Sequence, residues 1–159
     1  MPLADLLTTE RIVMLTEPGS LDHVLDAAAR LLAGASPTAT AAIGAALHER
    51  ESLGSTAIGH GVAIPHARSN AFDSPRGAFL RLEHPVDFGA RDHGPVDLVF
   101  AMSVPEHSPQ QYLETLCELA ERFSSEHFRD TLRDARDMDT LRGVLMGRPR
   151  PAMTVTVTP

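Results

Sequence analysis

The chain has 159 residues, 43% of them hydrophobic, which is enough for one domain with a buried core. Its formal net charge of -7 argues against a broad nucleic-acid surface and disfavours an anionic membrane surface, since both require clustered basic residues. The single cysteine, Cys117, excludes a disulfide framework, and the lack of a signal peptide or a membrane-length apolar stretch predicts a cytoplasmic chain without membrane insertion.

The first third of the chain predicts helices around one short strand. Two stretches have apolar residues that recur at helical spacing, and each of them begins or ends at a serine, proline or glycine. The predicted elements are a short helix at 3–7, a strand at 12–15, a helix from the N-cap Ser20 to Gly34, and a helix from Ser36-Pro37 to about Arg50.

The remainder predicts strands followed by helices. The segment 54–68 holds three glycines and is too broken for a helix, so it indicates short strands and tight turns. The apolar run 96–104 predicts a central strand. The other predicted elements are a strand at 77–82, a loop between the two strands, and helices around 113–123, 128–132 and 138–145. This order predicts an α/β or α+β fold in one domain, 1–147, with a flexible tail at 148–159.

His66 has the surroundings expected of a phosphoryl acceptor. Such a histidine needs one ring nitrogen free and the other held by a partner that fixes the tautomer. Pro65 fixes its own φ and pushes Ile64 towards an extended conformation, so the backbone leading to His66 is stiff. Gly59 and Gly61 allow a close turn nearby and are predicted to support the site.

Three further side chains are candidates for contacts with phosphate. Arg50 falls on the same helical face as the apolar Ile43 and Leu47, so it points to the protein body. Its guanidinium matches phosphate geometry, and the alternative is a cation that complements the helix dipole. The hydroxyls of Ser55 and Thr56 could donate to the oxygens of a transferring phosphoryl group.

Two other chemistries fit this segment less well. His60 could be a metal partner of His66, but a spacing of six residues through glycine does not match a helical pair of ligands. The glycines suggest a nucleotide site, but the lysine of a P-loop and the glycine spacing of a dinucleotide fingerprint are absent. We therefore predict no metal and no cofactor.

The residues 50–66, RESLGSTAIGHGVAIPH, resemble the signature of the fructose/mannitol-type enzyme IIA domains of the bacterial sugar phosphotransferase system. They are closest to the stand-alone nitrogen-regulatory branch, called PtsN. The resemblance extends from the first helix to about Leu145 and includes PVDLVF at 95–100.

This resemblance implies a single α/β domain with a mixed sheet flanked by helices. It implies that His66 accepts a phosphoryl group from an HPr-like phosphocarrier protein, that Arg50 lies beside it, and that Ser55 and Thr56 are phosphate-proximal hydroxyls. In transporter members of the family the group passes to a IIB domain. In the regulatory branch the phosphorylation state controls target proteins, among them potassium-transport and sensor-kinase partners.

The chain departs from the family pattern at two positions. Tyr112 stands where the family usually has a second histidine, and tyrosine can donate a hydrogen bond but carries no positive charge near neutral pH. Ala67 stands where the family often has glycine, and alanine would be strained there if the position required a positive φ.

We interpret the chain as a regulatory phosphocarrier with a phosphohistidine intermediate rather than as a stand-alone turnover enzyme. The alternatives are a sugar-specific IIA for fructose or mannitol and a degenerate module that binds partners without being phosphorylated, as the tyrosine at 112 suggests. A further alternative is an unrelated histidine–metal hydrolase.

Overall fold

The computed structural model describes residues 3–107 and 109–147. Within them, helices flank a six-stranded sheet. The helices are α1 (Leu3–Leu6), α2 (Leu21–Ala33), α3 (Pro37–Ser52), α4 (Pro109–Phe123), α5 (Glu126–Asp134) and α6 (Met138–Met146), and a short 3-10 helix covers Thr9–Arg11. The strands are β1 (Ile12–Leu15), β2 (Ala57–Gly59), β3 (Val62–Ala63), β4 (His66–Arg68), β5 (Arg76–Val86) and β6 (Val96–Val104).

The two helices that precede the central strands begin at serine caps. The Ser20 hydroxyl accepts a hydrogen bond from the backbone N–H of His23 at 3.3 Å, and the Ser36 hydroxyl accepts one from that of Ala39 at 3.1 Å. Each cap satisfies an amide that the first helical turn leaves unpaired. Helix α2 ends at Gly34, whose φ of 68° favours glycine.

The sheet is mixed and runs in the order β1-β5-β6-β3-β2. β5 and β6 are antiparallel, whereas β1 is parallel to β5 and β3 is parallel to β6. β4 continues along the same edge of β6 as β3, with His66 opposite Met102. Because β2 pairs with β3 and not with β4, the described residues place no further strand beside β4.

The central strand β6 divides the interior into two hydrophobic clusters, since alternate side chains of a strand point to opposite faces. Leu98, Phe100 and Met102 belong to the cluster that also holds residues of α1, α4, α5 and α6. Val99 and Ala101 belong to the cluster packed against α2 and α3. Helices therefore cover both faces of the sheet.

The architecture confirms the predicted single α/β domain with a mixed sheet flanked by helices. The strand predicted at 77–82 is longer and spans Arg76–Val86, and α3 ends at Ser52 rather than at about Arg50. The tail predicted at 148–159 lies outside the described residues. In the described part of the chain, no helix has the length and apolar character needed to cross a bilayer.

Candidate functional site

His66 lies where the β3–β4 edge is interrupted by Ile64 and Pro65. The Pro65 carbonyl accepts a hydrogen bond from the N–H of Met102 at 2.9 Å, and the Ile64 N–H donates to the carbonyl of Thr56 at 3.0 Å. Pro65 has a fixed φ and no N–H of its own. The interruption is therefore anchored on both sides, and His66 begins β4 on a rigid backbone.

Two hydrogen bonds of opposite sense define the tautomer of His66. Its Nδ1 lies 2.7 Å from the Ile64 carbonyl oxygen, which can only accept, so Nδ1 carries the proton. Its Nε2 lies 3.2 Å from Nε of Arg50, which can only donate, so Nε2 carries the lone pair. The ring thus presents Nε2 as its nucleophilic atom.

The environment of His66 favours the neutral imidazole. The residue is 9% exposed, and burial lowers its pKa below the usual histidine value as the largest effect. The hydrogen bond to the Ile64 carbonyl opposes this shift, and the positive charge of Arg50 lowers the pKa further. A neutral ring with an unprotonated nitrogen is the form that can attack phosphorus.

Arg50 is held in the last turn of α3. Besides the bond to His66, its Nη1 donates to the Gly54 carbonyl at 2.8 Å. This confirms that the side chain points to the protein body. Within residues 3–107 and 109–147, no acceptor is hydrogen bonded to its Nη2, so donor capacity remains beside the histidine. A guanidinium in this position can donate to a phosphoryl group on Nε2.

The hydroxyls of Ser55 and Thr56 donate to protein acceptors rather than towards His66. Ser55 Oγ donates to the Phe88 carbonyl at 2.6 Å, and Thr56 Oγ1 donates to Glu51 Oε1 at 2.6 Å. The Thr56 N–H also donates to Glu51 Oε2 at 2.9 Å. Each hydroxyl has one proton to donate, so the predicted contacts with phosphoryl oxygens stay a prediction that requires these side chains to rotate.

Gly59 and Gly61 shape a hairpin at the other end of the β3–β4 edge. They flank His60, and positive φ values of 57° at His60 and 78° at Gly61 form the two-residue turn between β2 and β3. The first residue after this turn, Val62, pairs with Leu98 of β6, whereas His66 pairs with Met102 at the other end of that edge. The two glycines therefore build the turn and do not line the acceptor ring.

The structure also separates the two histidines that were considered as a metal pair. His60 lies in the β2–β3 turn, where its N–H donates to Asp92 Oδ2 at 3.1 Å. His66 lies beyond β3 on the same edge of β6. Val62, which follows the turn, pairs with Leu98, whereas His66 pairs with Met102, four residues further along β6. In the described part of the chain, no group of three histidine, cysteine or acidic side chains could hold a metal ion.

Tyr112 packs beside the ring of His66. Its ring centroid lies 5.5 Å from that of His66 with an interplanar angle of 57°. The Cζ atom of Arg68 lies 4.8 Å from the Tyr112 ring centroid. Ala67, between the histidine and Arg68, lies in β4 opposite Ser103 and is not among the residues with positive φ, so alanine is unstrained there.

Two residues at the site were missed by the sequence interpretation. Glu51 orders the Thr56 loop, and Arg68 stacks on Tyr112. Arg68 could have been found from strand alternation, because residues two apart on a strand share a face and Arg68 follows His66 by two. The role of Glu51 had no comparable signal, since its partner depends on how the chain turns after α3.

Comparisons with known proteins agree on one family. The family model described as phosphoenolpyruvate-dependent sugar phosphotransferase system, EIIA 2, matches residues 5–146. A nitrogen regulatory protein of Pseudomonas aeruginosa is 41% identical over 140 residues, which cover 87% of this chain and 91% of that protein. A fructose-specific EIIA component from Haloferax volcanii is 33% identical over 144 residues, which cover 87% of this chain and 92% of that protein.

A solved structure supports the same relation. The crystal structure of the nitrogen regulatory protein IIA-Ntr from Neisseria meningitidis matches with a TM-score of 0.82 and 37% sequence identity. The match covers 90% of this chain and 98% of that one. The relatives therefore share the whole domain and not only the segment around the histidine.

Proposed function

Since the chain belongs to the EIIA 2 family of the phosphoenolpyruvate-dependent sugar phosphotransferase system, we propose that it is a phosphocarrier whose acceptor atom is Nε2 of His66. The family and the relatives named as nitrogen regulatory proteins support this phosphocarrier role. The observation that carries the choice of atom is the fixed tautomer, in which Nδ1 donates to a carbonyl and Nε2 faces a guanidinium.

The donor is an HPr-like carrier that bears a phosphohistidine. In the structure the lone pair of Nε2 accepts a hydrogen bond from Arg50 Nε, and this bond must open before attack. The freed lone pair forms the new N–P bond as the N–P bond of the donor breaks, and the electron pair of the broken bond returns to the donor imidazole. The proton on Nδ1 of His66 stays in place throughout, held by the Ile64 carbonyl. The N–H groups that Arg50 withdraws from Nε2 then donate to the phosphoryl oxygens and stabilise the charge that spreads over them.

The proposed role is regulatory, with the phosphorylation state of His66 controlling binding to target proteins. Support comes from the nitrogen regulatory relatives in Pseudomonas and Neisseria, which match this chain over most of its length. Potassium-transport and sensor-kinase proteins are the target classes to test first. A phosphoryl group on a histidine that is 9% exposed changes both the charge and the shape of the surrounding surface.

A sugar-specific IIA is the second candidate, and the fructose-specific relative from Haloferax favours it. In that case the phosphoryl group would pass from His66 to a IIB domain. Incubating the phosphorylated protein with IIB domains for fructose and mannitol separates the two roles. Rapid transfer to one of them would replace the regulatory proposal, whereas slow transfer to both, with transfer back to the HPr-like carrier intact, would support it.

The proposed function is tested by intact-mass measurement after incubation with a phosphorylated HPr-like carrier. We expect the wild-type protein to gain one phosphoryl group and His66→Ala to gain none. His60→Ala is the matched control, since that histidine lies in the β2–β3 turn and should leave the gain unchanged. No gain by the wild type, with a carrier that phosphorylates another IIA, would instead favour a binding module that is not phosphorylated.

A further inference from the structure

Arg68 contacts the same tyrosine ring as His66 and, in the described part of the chain, has no ion-pair partner. It follows His66 by two positions on β4, so both side chains leave the same face of the strand. Its guanidinium carbon lies 4.8 Å from the ring centroid of Tyr112, whose ring lies 5.5 Å from that of His66. Arg68 is exposed, whereas the two rings are buried.

The charge on this side of the histidine comes from the arginine and not from the tyrosine. Burial raises the pKa of the Tyr112 hydroxyl above its usual value, although Arg68 and Arg50 oppose the shift, so the ring is neutral near pH 7. In the described part of the chain, no carboxylate pairs with Arg68. A guanidinium without a carboxylate partner can donate to the oxygens of an anion such as a phosphoryl group.

We propose that Arg68, which lies over the Tyr112 ring, is a second phosphoryl-binding residue that contacts the phosphoryl oxygens once the group is on His66. The inference rests on the proposed function and assigns a residue that the family match alone does not. Cation–π attraction and the Tyr112 hydroxyl hold the guanidinium at this ring. A guanidinium has five N–H donors, so donors remain for the phosphoryl oxygens. Tyr112, whose ring also contacts His66, thus holds Arg68 on this side of the site.

This arrangement clamps the phosphoryl group between two cations. Arg50 approaches Nε2 from the end of α3, and Arg68 approaches from the β4 side, over the tyrosine.

The test compares Arg68→Gln and Arg68→Lys with Arg91→Gln, a matched control that removes one exposed arginine from the loop between β5 and β6. Each protein is phosphorylated by the HPr-like carrier, and the phosphoryl resonance is followed by phosphorus NMR as a function of pH. A nearby cation favours the dianionic phosphoryl group. We expect Arg68→Gln to raise the pKa of that group, Arg68→Lys to raise it less, and Arg91→Gln to leave it unchanged.

A second readout is the equilibrium distribution of the phosphoryl group between carrier and protein. We expect Arg68→Gln to shift it towards the carrier by about threefold to tenfold, the size expected for one charge-assisted contact at a partly exposed site. Equal phosphoryl pKa values and equal distributions in Arg68→Gln and Arg91→Gln would overturn the inference, even if the transfer rate fell through weaker docking.

Failure of the inference and failure of the proposed function are distinguishable. If the wild type takes up no phosphoryl group, the phosphocarrier role fails. If the wild type is phosphorylated and Arg68→Gln has the phosphoryl pKa of the wild type, only the assignment of Arg68 fails. Because Arg68 is exposed at the end of a strand, its variants should keep the fold, and thermal unfolding of each variant checks this.

Discussion

In the proposed phosphocarrier role, the ring of His66 is prepared for attack by its two neighbours and by burial. The Ile64 carbonyl fixes the proton on Nδ1, and Arg50 keeps Nε2 unprotonated. All of these groups lie within a short stretch of β3–β4 and the end of α3, so the reactive form exists before a partner arrives. Such preorganisation removes the need to select a tautomer during transfer.

The depressed pKa of His66 predicts how phosphoryl uptake depends on pH. A histidine with a lowered pKa stays neutral, and therefore nucleophilic, to a lower pH than an ordinary histidine near about 6.5. We expect the uptake rate to be flat through neutral pH and to fall only at pH values below that ordinary range. NMR titration of the ring measures the same group directly.

Arg50→Gln provides the variant for this measurement. Removing the positive charge takes away one of the causes that lower the pKa of His66, so the ring should titrate at a higher pH than in the wild type. Arg91→Gln is the control and should leave the titration unchanged. A ring that titrates at or above the ordinary histidine value in the wild type would contradict the environment described for His66.

At the scale of elements, the β2–β3 hairpin is locked by a single arginine of α5. Arg133 contacts both carboxylate oxygens of Asp97, with its Nη2 2.8 Å from Oδ1, and donates to the His60 carbonyl at 2.6 Å. The Gly61 carbonyl in turn accepts from the N–H groups of Asp97 and Leu98, at 3.0 Å each. The turn is thereby tied to β6 and to α5 at once.

Gly61→Ala should therefore destabilise the fold. A Cβ atom at this position would lie 2.5 Å from Arg133 Nη2 and 2.9 Å from Asp97 Oδ1, and the φ of 78° is unfavourable for alanine. The backbone strain alone costs about 1–2 kcal/mol, and displacement of the ion pair adds to it. Chemical denaturation should show a free energy of unfolding lower by at least about 1 kcal/mol.

Gly143→Ala is the matched control for this change. That glycine lies inside α6, and nothing lies within 4 Å of a Cβ built there. Alanine in a helix interior stabilises by about 0.5–1 kcal/mol relative to glycine. Unchanged stability in Gly61→Ala, together with a loss of phosphoryl uptake, would assign the glycine to the acceptor site rather than to the hairpin.

The limits of sequence interpretation follow from the range of each interaction. Ser20 and Ser36 cap helices through amides three residues away, so both helix starts were predictable. The stiff approach to His66 was predictable from Pro65. The partners of Ser55 and Arg133 lie 33 and 73 residues away at Phe88 and His60, and no local pattern specifies such pairings.

At the scale of the whole molecule, many of the arginines in the described residues bind groups of the protein itself. All 14 basic residues of the sequence are arginines, and several in the described part of the chain bind carbonyls at helix ends, where cations complement the helix dipole. Arg129 donates to the carbonyls of Phe123 and Ser124 at the end of α4. Arg81 donates to the carbonyls of Leu132 and Ala135 at the end of α5.

The net charge of -7 acts at long range, whereas Arg50 at Nε2 and Arg68 over the Tyr112 ring are cations placed close to the proposed acceptor. A partner that approaches from a distance meets a negative field, and its phosphoryl group meets two cations only on contact. Long-range attraction therefore favours a carrier with a basic rim around its phosphohistidine.

This field predicts a salt-dependent association with the HPr-like carrier. Opposite charges accelerate encounter, and added salt screens them beyond about 10 Å at 0.1 M ionic strength. We expect the association rate to fall as salt rises and the dissociation rate to change little. Stopped-flow mixing of the carrier with His66→Ala, which binds without transfer, measures both rates.

Two variants, each of which replaces one exposed glutamate by glutamine, test which part of the surface attracts the carrier. Glu106 is exposed just after β6 and is hydrogen bonded to Asn70, beyond the Arg68 end of β4, whereas Glu17 is exposed between β1 and α2. If the carrier docks over the histidine, Glu106→Gln should lower the association rate at low salt more than Glu17→Gln does, and high salt should remove the difference. A rate that is flat or rises with salt would show that electrostatic attraction does not guide the carrier, leaving the contacts around His66 to select it after encounter.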